Sequence, residues 1–150
     1  MAVSADFRAF ADGVTLEPAT EPAAEDLAAL TRGLVASNDA RGPWEAWQRV
    51  TFFLRGADDT LLGGLDGHTH WAWLFVGKLW VHAAHQRRGY GRALMAAAER
   101  EAAARGCGNA HLDTFDFQAL QFYRQLGYSV FAELADFPPG HTHYFLRKEL

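Results

Sequence analysis

The sequence predicts an α+β fold, with helices flanking a mostly antiparallel sheet, and three observations carry that reading. Strand-like runs at 51–55, 60–65 and 73–81 follow one another with no helix separating them, which disfavours a doubly wound parallel sheet. The last run, WLFVGKLWV, is apolar and aromatic apart from Gly77 and Lys78 and reads as a buried strand. Shortly after it, a turn rich in glycine and arginine opens the alanine-rich segment 91–105, which carries Leu94 and Met95 on an apolar side and stops at Gly106. That segment is a helix with a glycine cap.

The turn before this helix is the most informative stretch of the chain. It contains Gln86, Arg87, Arg88, Gly89, Tyr90, Gly91 and Arg92. A strand turning through glycines into a helix exposes backbone N–H groups at the positive end of the helix dipole, where phosphate oxygens are natural ligands. The glycines let the backbone approach closely and the arginines add charge, so the turn is an anion site. It is not a dinucleotide fingerprint: position 94 is Leu where a third small residue belongs, and no acidic residue follows a strand at the required distance.

The remaining elements can be read in order. Residues 1–13 carry no assignable pattern, and 14–17 make a short strand ended by Pro18. Residues 21–36 form an amphipathic helix, with Pro22 near its start, Glu25 and Asp26 in its first turn, and Leu27, Leu30 and Leu34 on one face. SNDARGP at 37–43 is a loop by composition, and 44–50 reads as a second short helix with Trp44 and Trp47 three apart. The runs at 51–55 and 60–65 form a hairpin around GADD, and Asp66-Gly67 reads as a second turn leading into the long strand. After the central helix come a short strand at 110–114 and a helix within 115–128, for which Asp116 is the candidate cap and Gly127 the stop. Two final strands, 128–134 and 143–149, are joined by a stiff connection containing Pro138-Pro139-Gly140.

Size and composition bound the function. A chain of 150 residues is read as one domain, and 49% hydrophobic with 21% charged residues excludes global disorder. A net charge of −4 argues against a general nucleic-acid binder, while the local basic cluster suits a small phosphorylated ligand. The single cysteine, Cys107, forms no internal disulfide and reads as a packing residue, compatible with a reducing cytoplasm. No basic head and apolar core of a signal peptide opens the sequence, and no run approaches the ~20 apolar residues of a membrane span. These features predict a cytoplasmic protein with no membrane partner. Histidine pairs at 68/70 and 141/143 come without a cysteine pair or a metalloprotease motif, so no metal is assigned.

Two motifs resemble one known family. Gln86, Gly89 and Gly91 fit the pattern Gln/Arg-x-x-Gly-x-Gly/Ala of the acyl-CoA pyrophosphate loop in the GNAT (Gcn5-related N-acetyltransferase) superfamily. About 30 residues on, Asp116, Ala119, Phe122, Tyr123, Gly127 and Tyr128 match the family's Asn-x-x-Ala-x-x-Phe-Tyr-x-x-x-Gly-Phe/Tyr, with Asp in place of the usual Asn. The resemblance implies a GNAT-like fold of about six to seven strands over 1–150. It also implies transfer of an acetyl group from acetyl-CoA to a primary amine through a ternary complex, without metal. An acyl-CoA-binding module that has lost turnover, and an enzyme acting on protein N-termini or lysines, are the alternatives.

In that reading residues 86–92 hold the pyrophosphate. Backbone groups of Leu79, Trp80 and Val81 pair with the pantetheine arm and polarise the thioester carbonyl, and Asp116 contacts the CoA chain. Tyr123, with an ordinary pKa of about 10, donates a proton to the departing thiolate. Many relatives place a carboxylate on the long strand as general base. Here the polar positions nearby are Lys78 and His82; His82 has the right titration range, with His70, His111, Asp113 and His143 as other options. A homodimer through the last strands is compatible with the sequence, although nothing specific indicates it.

Overall fold

The computed structural model describes residues 8–9, 12–16, 18–39, 42 and 47–150. The chain divides into two compact units, 1–44 and 45–150. In the first, β1 (Arg8–Ala9) pairs antiparallel with β2 (Thr15–Leu16), and α1 spans Ala24–Asp39. Glu25 and Asp26 lie in its first turn, where negative charge complements the helix dipole. The helix runs on through Ser37, Asn38 and Asp39, which composition assigned to a loop. Trp44 and the rest of 43–46 lie outside the described residues.

The second unit is a six-stranded sheet ordered β3-β4-β5-β6-β8-β7, comprising β3 (Gln48–Arg55), β4 (Leu61–His70), β5 (Trp73–Val81), β6 (Asn109–Phe115), β7 (Ser129–Ala135) and β8 (Thr142–Glu149). Between β5 and β6 runs α2 (Tyr90–Ala104), and α3 (Leu120–Gln125) follows β6. Every pairing is antiparallel except β5 with β6, whose ends are joined by the α2 crossover that parallel strands require.

The short helix expected over 44–50 is a strand at Gln48, Arg49 and Val50, where Val50 is buried beneath α2 and the strand pairs with β4. The turn expected at Asp66-Gly67 is also absent, because both residues lie inside β4. Asp66 is held there by the Thr51 hydroxyl at 2.7 Å and by Arg49 at 3.4 Å. The chain instead reverses at Trp71 and Ala72, both left-handed with φ of 48° and 59°, as a two-residue hairpin needs.

α2 carries Leu94, Met95, Ala98 and Ala102 on one stripe, buried against Val50, Leu65, Leu74 and Val76 of the sheet. The two fully buried alanines let the helix backbone lie close to the strands. At its end Gly106 (φ 85°) donates to Ala103 and Cys107 donates to Ala102, closing the helix with a glycine in the left-handed position. Arg105 then fastens the helix to the sheet by donating to the Gln48 and Arg49 carbonyls, both at 3.2 Å.

Candidate active site

One opening in the sheet organises the site. β5 and β6 pair only from Trp73 to Val76 against Asn109 to Leu112. Beyond that point β5 continues beside β4 and β6 beside β8, so the two strands part. The cause is local: Asp66 faces Lys78 but Gly67 faces Val76, leaving Gly77 as an extra residue in β5, and such a bulge bends and twists its strand. Past Gly77, β5 has a sheet partner on one side only, and its alternate backbone groups on the other side face the gap.

A cavity of about 950 Å³ fills it, lined by Gly77, Lys78, Leu79 and Val81 of β5, the loop into α2, Asp113 and Thr114 of β6, and residues from Gln118 to Gln125. The loop is shaped by its own hydrogen bonds. His82 Nδ1 accepts from the Ala84 N–H at 3.2 Å, the His85 N–H donates to the His82 carbonyl, and Gln86 Nε2 donates to the Val81 carbonyl at 3.0 Å. Arg87 (φ 61°) and Gly89 (φ 84°) are both left-handed, and Gly89 occupies the helix cap with no side-chain acceptor of its own. The first N–H groups of α2 are thus left for a ligand.

Of the residues singled out by sequence, Leu79, Val81, Gln86, Arg87, Gly89, Tyr90, Gly91, Arg92 and Tyr123 line this cavity. Four do not. Trp80 alternates with its neighbours along β5 and projects half exposed from the other face, while Arg88 lies off the wall. His82 commits Nδ1 to capping the short turn at 83–85 and is absent from the cavity. Asp116 is neither on the wall nor the cap of α3. Its carboxylate accepts from the Thr142 N–H at 3.2 Å and meets His141 Nδ1 at 2.9 Å, which ties it to the start of β8. Gln118 performs the local stitching instead, accepting from the Thr114 hydroxyl and the Phe115 N–H, each at 3.1 Å.

Tyr123 is 8% exposed, with its ring edge-on to Phe122 and Tyr128. Burial, and then the negative charge of Asp113, push its pKa up to about 12, so the phenol is fully protonated at neutral pH and available as a proton donor. Asp113 is the wall residue that sequence reading weighed only as one option among several. Its signal was the one carboxylate in a short strand that also carries Asn109, His111 and Thr114. On the same sheet face, Trp47, His68, His70, Trp73, Phe75 and His111 line a second, aromatic hollow of about 410 Å³. Burial lowers the pKa of His68 and of His111, keeping those imidazoles neutral.

Comparison with known proteins agrees with this geometry. Residues 22–128 match the acetyltransferase (GNAT) family. The chain is 45% identical to the blasticidin-S acetyltransferase of Streptomyces morookaense over 96 residues, covering 63% of this chain and 71% of the relative. It is 35% identical to an acetyltransferase of Agrobacterium fabrum over 125 residues, 83% and 91% of the two chains. A crystal structure of an acetyltransferase from Bacillus cereus superposes with a TM-score of 0.81 at 25% identity, covering 89% of this chain and 98% of the other. On the family match over residues 22–128 and these relatives, the chain belongs to the GNAT family of acetyltransferases.

Proposed function

We propose that the protein transfers the acetyl group of acetyl-CoA to a primary amine of a small acceptor, by direct attack within a ternary complex. The observation that carries this reading is that the anion-binding loop and the protonated Tyr123 line the same parted-strand cavity. The N–H groups of residues 87–92, with Arg87 and Arg92, receive the pyrophosphate. Backbone groups of β5 beyond Gly77 pair with the pantetheine arm, and one of them donates to the thioester oxygen as negative charge develops there. The amine attacks the carbonyl carbon, the C–S bond breaks, and Tyr123 protonates the leaving thiolate.

Likeness to the Streptomyces relative makes blasticidin-S the first acceptor to test. The aromatic hollow beside the opening supports a cationic or flat acceptor, because indole and phenyl faces attract cations. The experiment is calorimetric titration with acetyl-CoA, followed by thiol release against blasticidin-S and a panel of small amines. Acceptor-dependent release supports the enzyme; binding without release against the whole panel favours a module that binds acyl-CoA without turnover; and no binding removes the reading.

A further inference from the structure

We infer that Asp113 is the general base of this transfer and that His143 is the residue that positions it. The inference rests on the acetyl transfer proposed above and assigns the one role that His82, held off the wall, does not fill.

Asp113 is the first residue of β6 beyond the last pair that β6 makes with β5, Leu112 with Val76. It therefore stands at the point where the strands part, and its side chain is on the cavity wall. Its two oxygens are used differently. Oδ2 lies 2.8 Å from His143 Nε2, whereas Oδ1 makes no hydrogen bond or ion pair among the described residues. A carboxylate can only accept, so the imidazole carries its proton on Nε2 and donates it to Oδ2. The other ring nitrogen, Nδ1, is buried with no hydrogen-bond partner among the described residues.

The imidazole is fixed by aromatic rings. Its centroid lies 4.2 Å from that of Phe115 at 16°, with Phe145 at 4.5 Å and Phe137 at 5.6 Å. A ring held this way aims its N–H at Oδ2 and leaves Oδ1 without a hydrogen-bond partner among the described residues. The charged and titratable groups near Asp113 include His143 and Arg147 on β8, His111 on β6, Tyr123 on α3, and Lys78, His85, Arg87 and Arg92 on the cavity wall. Asp113 and Tyr123 make a complementary pair, an ionised base beside a phenol kept neutral partly by that same charge.

The chemistry balances with these two groups. An amine arrives as an ammonium and must lose a proton before its lone pair can form the C–N bond. Oδ1 takes that proton and gives it to water. After attack, the nitrogen loses a second proton to Oδ1, the C–S bond breaks, and Tyr123 passes its hydroxyl proton to the thiolate. The proton on Asp113 returns to Tyr123 through water, so ammonium and thioester become amide, thiol and one released proton.

The test compares Asp113→Asn, His143→Phe and His143→Gln with the parent protein, using the amine that supports thiol release. Calorimetric binding of acetyl-CoA confirms that each variant is folded. Asp113→Asn should lower kcat/KM about 100-fold at pH 7, with the deficit shrinking but not vanishing as pH rises toward the pKa of the amine, where the first of the two protons has already left. His143→Phe should lose part of the rate, and His143→Gln, which keeps an N–H donor, should recover it. A raised KM with unchanged kcat and an unchanged pH profile in Asp113→Asn would make the residue a mere counter-ion and overturn the inference. Activity of Asp113→Asn within about threefold of the parent would do the same. If the parent protein itself releases no thiol with any amine, the proposed reaction fails and the inference falls with it.

Discussion

The carbonyl oxygen of Phe75 occupies the space that a side chain on Gly67 would need. The two residues belong to adjacent strands, and Gly67 is the first residue of β4 past the register shift that leaves Gly77 as the extra residue of β5. The same bulge parts β5 from β6 and so makes the cavity. A methyl group at position 67 would have to move backbone, not a flexible side chain. Gly67→Ala should therefore cost about 1–3 kcal/mol, read as a lower urea midpoint, and should weaken acetyl-CoA binding through the altered bulge. A midpoint equal to the parent's would mean that the close approach is not obligatory.

Gly89 presents a different constraint. Nothing lies within 4 Å of where its side chain would begin, yet its φ of 84° disfavours any L-residue with a side chain. Gly89→Ala should lower stability by about 1 kcal/mol with modest loss of ligand affinity. Gly89→Glu adds a carboxylate where phosphate is expected, and its dissociation constant for acetyl-CoA should rise at least tenfold, about 1.4 kcal/mol. Equal affinity of Gly89→Glu and the parent would remove the pyrophosphate assignment.

Local patterns made much of this legible. β5 lies where the apolar run from Trp73 to Val81 places it, and α2 ends at Ala104, one residue short of the expected Arg105 before the Gly106 stop signal. The Gly56–Asp59 hairpin was readable because its residues suit a turn, with Asp59 left-handed at φ 65°. The errors arose where long-range contacts override local chemistry. Asp66-Gly67 has the composition of a turn but is held in β4 by Thr51, Arg49 and the approach of Phe75. Trp71-Ala72 has no turn signature yet makes the reversal. Asp116 looked like a helix cap, and its partners His141 and Thr142 are 25 and 26 residues away. The His143 contact that singles out Asp113 spans 30 residues, beyond the reach of any local pattern.

Glu99 on α2 joins two elements across the domain. Its carboxylate accepts from the Tyr128 hydroxyl at 3.0 Å and from Lys148 Nζ on β8 at 2.7 Å, with 17% of the glutamate side chain exposed. Removing the lysine alone leaves a mostly buried carboxylate with one donor. Lys148→Met should destabilise the fold by about 1–3 kcal/mol, and Glu99→Gln in the same chain should recover part of that loss. Urea unfolding of the two single variants and the double variant measures the coupling. Strict additivity would show that the pair contributes nothing.

Tyr123 links catalysis to alkaline stability. Its pKa of about 12 means that the phenol keeps its proton through pH 6–9, so kcat/KM should rise toward the pKa of the acceptor amine without a descending limb below pH 10. Tyr123→Phe should lower kcat about 100-fold while leaving the acetyl-CoA dissociation constant nearly unchanged; full activity would remove the acid assignment. Tyr128 is shifted in the same direction, first by burial and then by the charge of Glu99. In the unfolded chain both phenols ionise near pH 10. Between that pH and about 12 the unfolded state has lost protons that the folded state still holds, so stability falls as pH rises. The contribution is complete below pH 10 and disappears above it. Replacing both tyrosines with phenylalanine should flatten this alkaline limb in urea unfolding at pH 9, 10 and 11, and an unchanged slope would show that neither phenol titrates late.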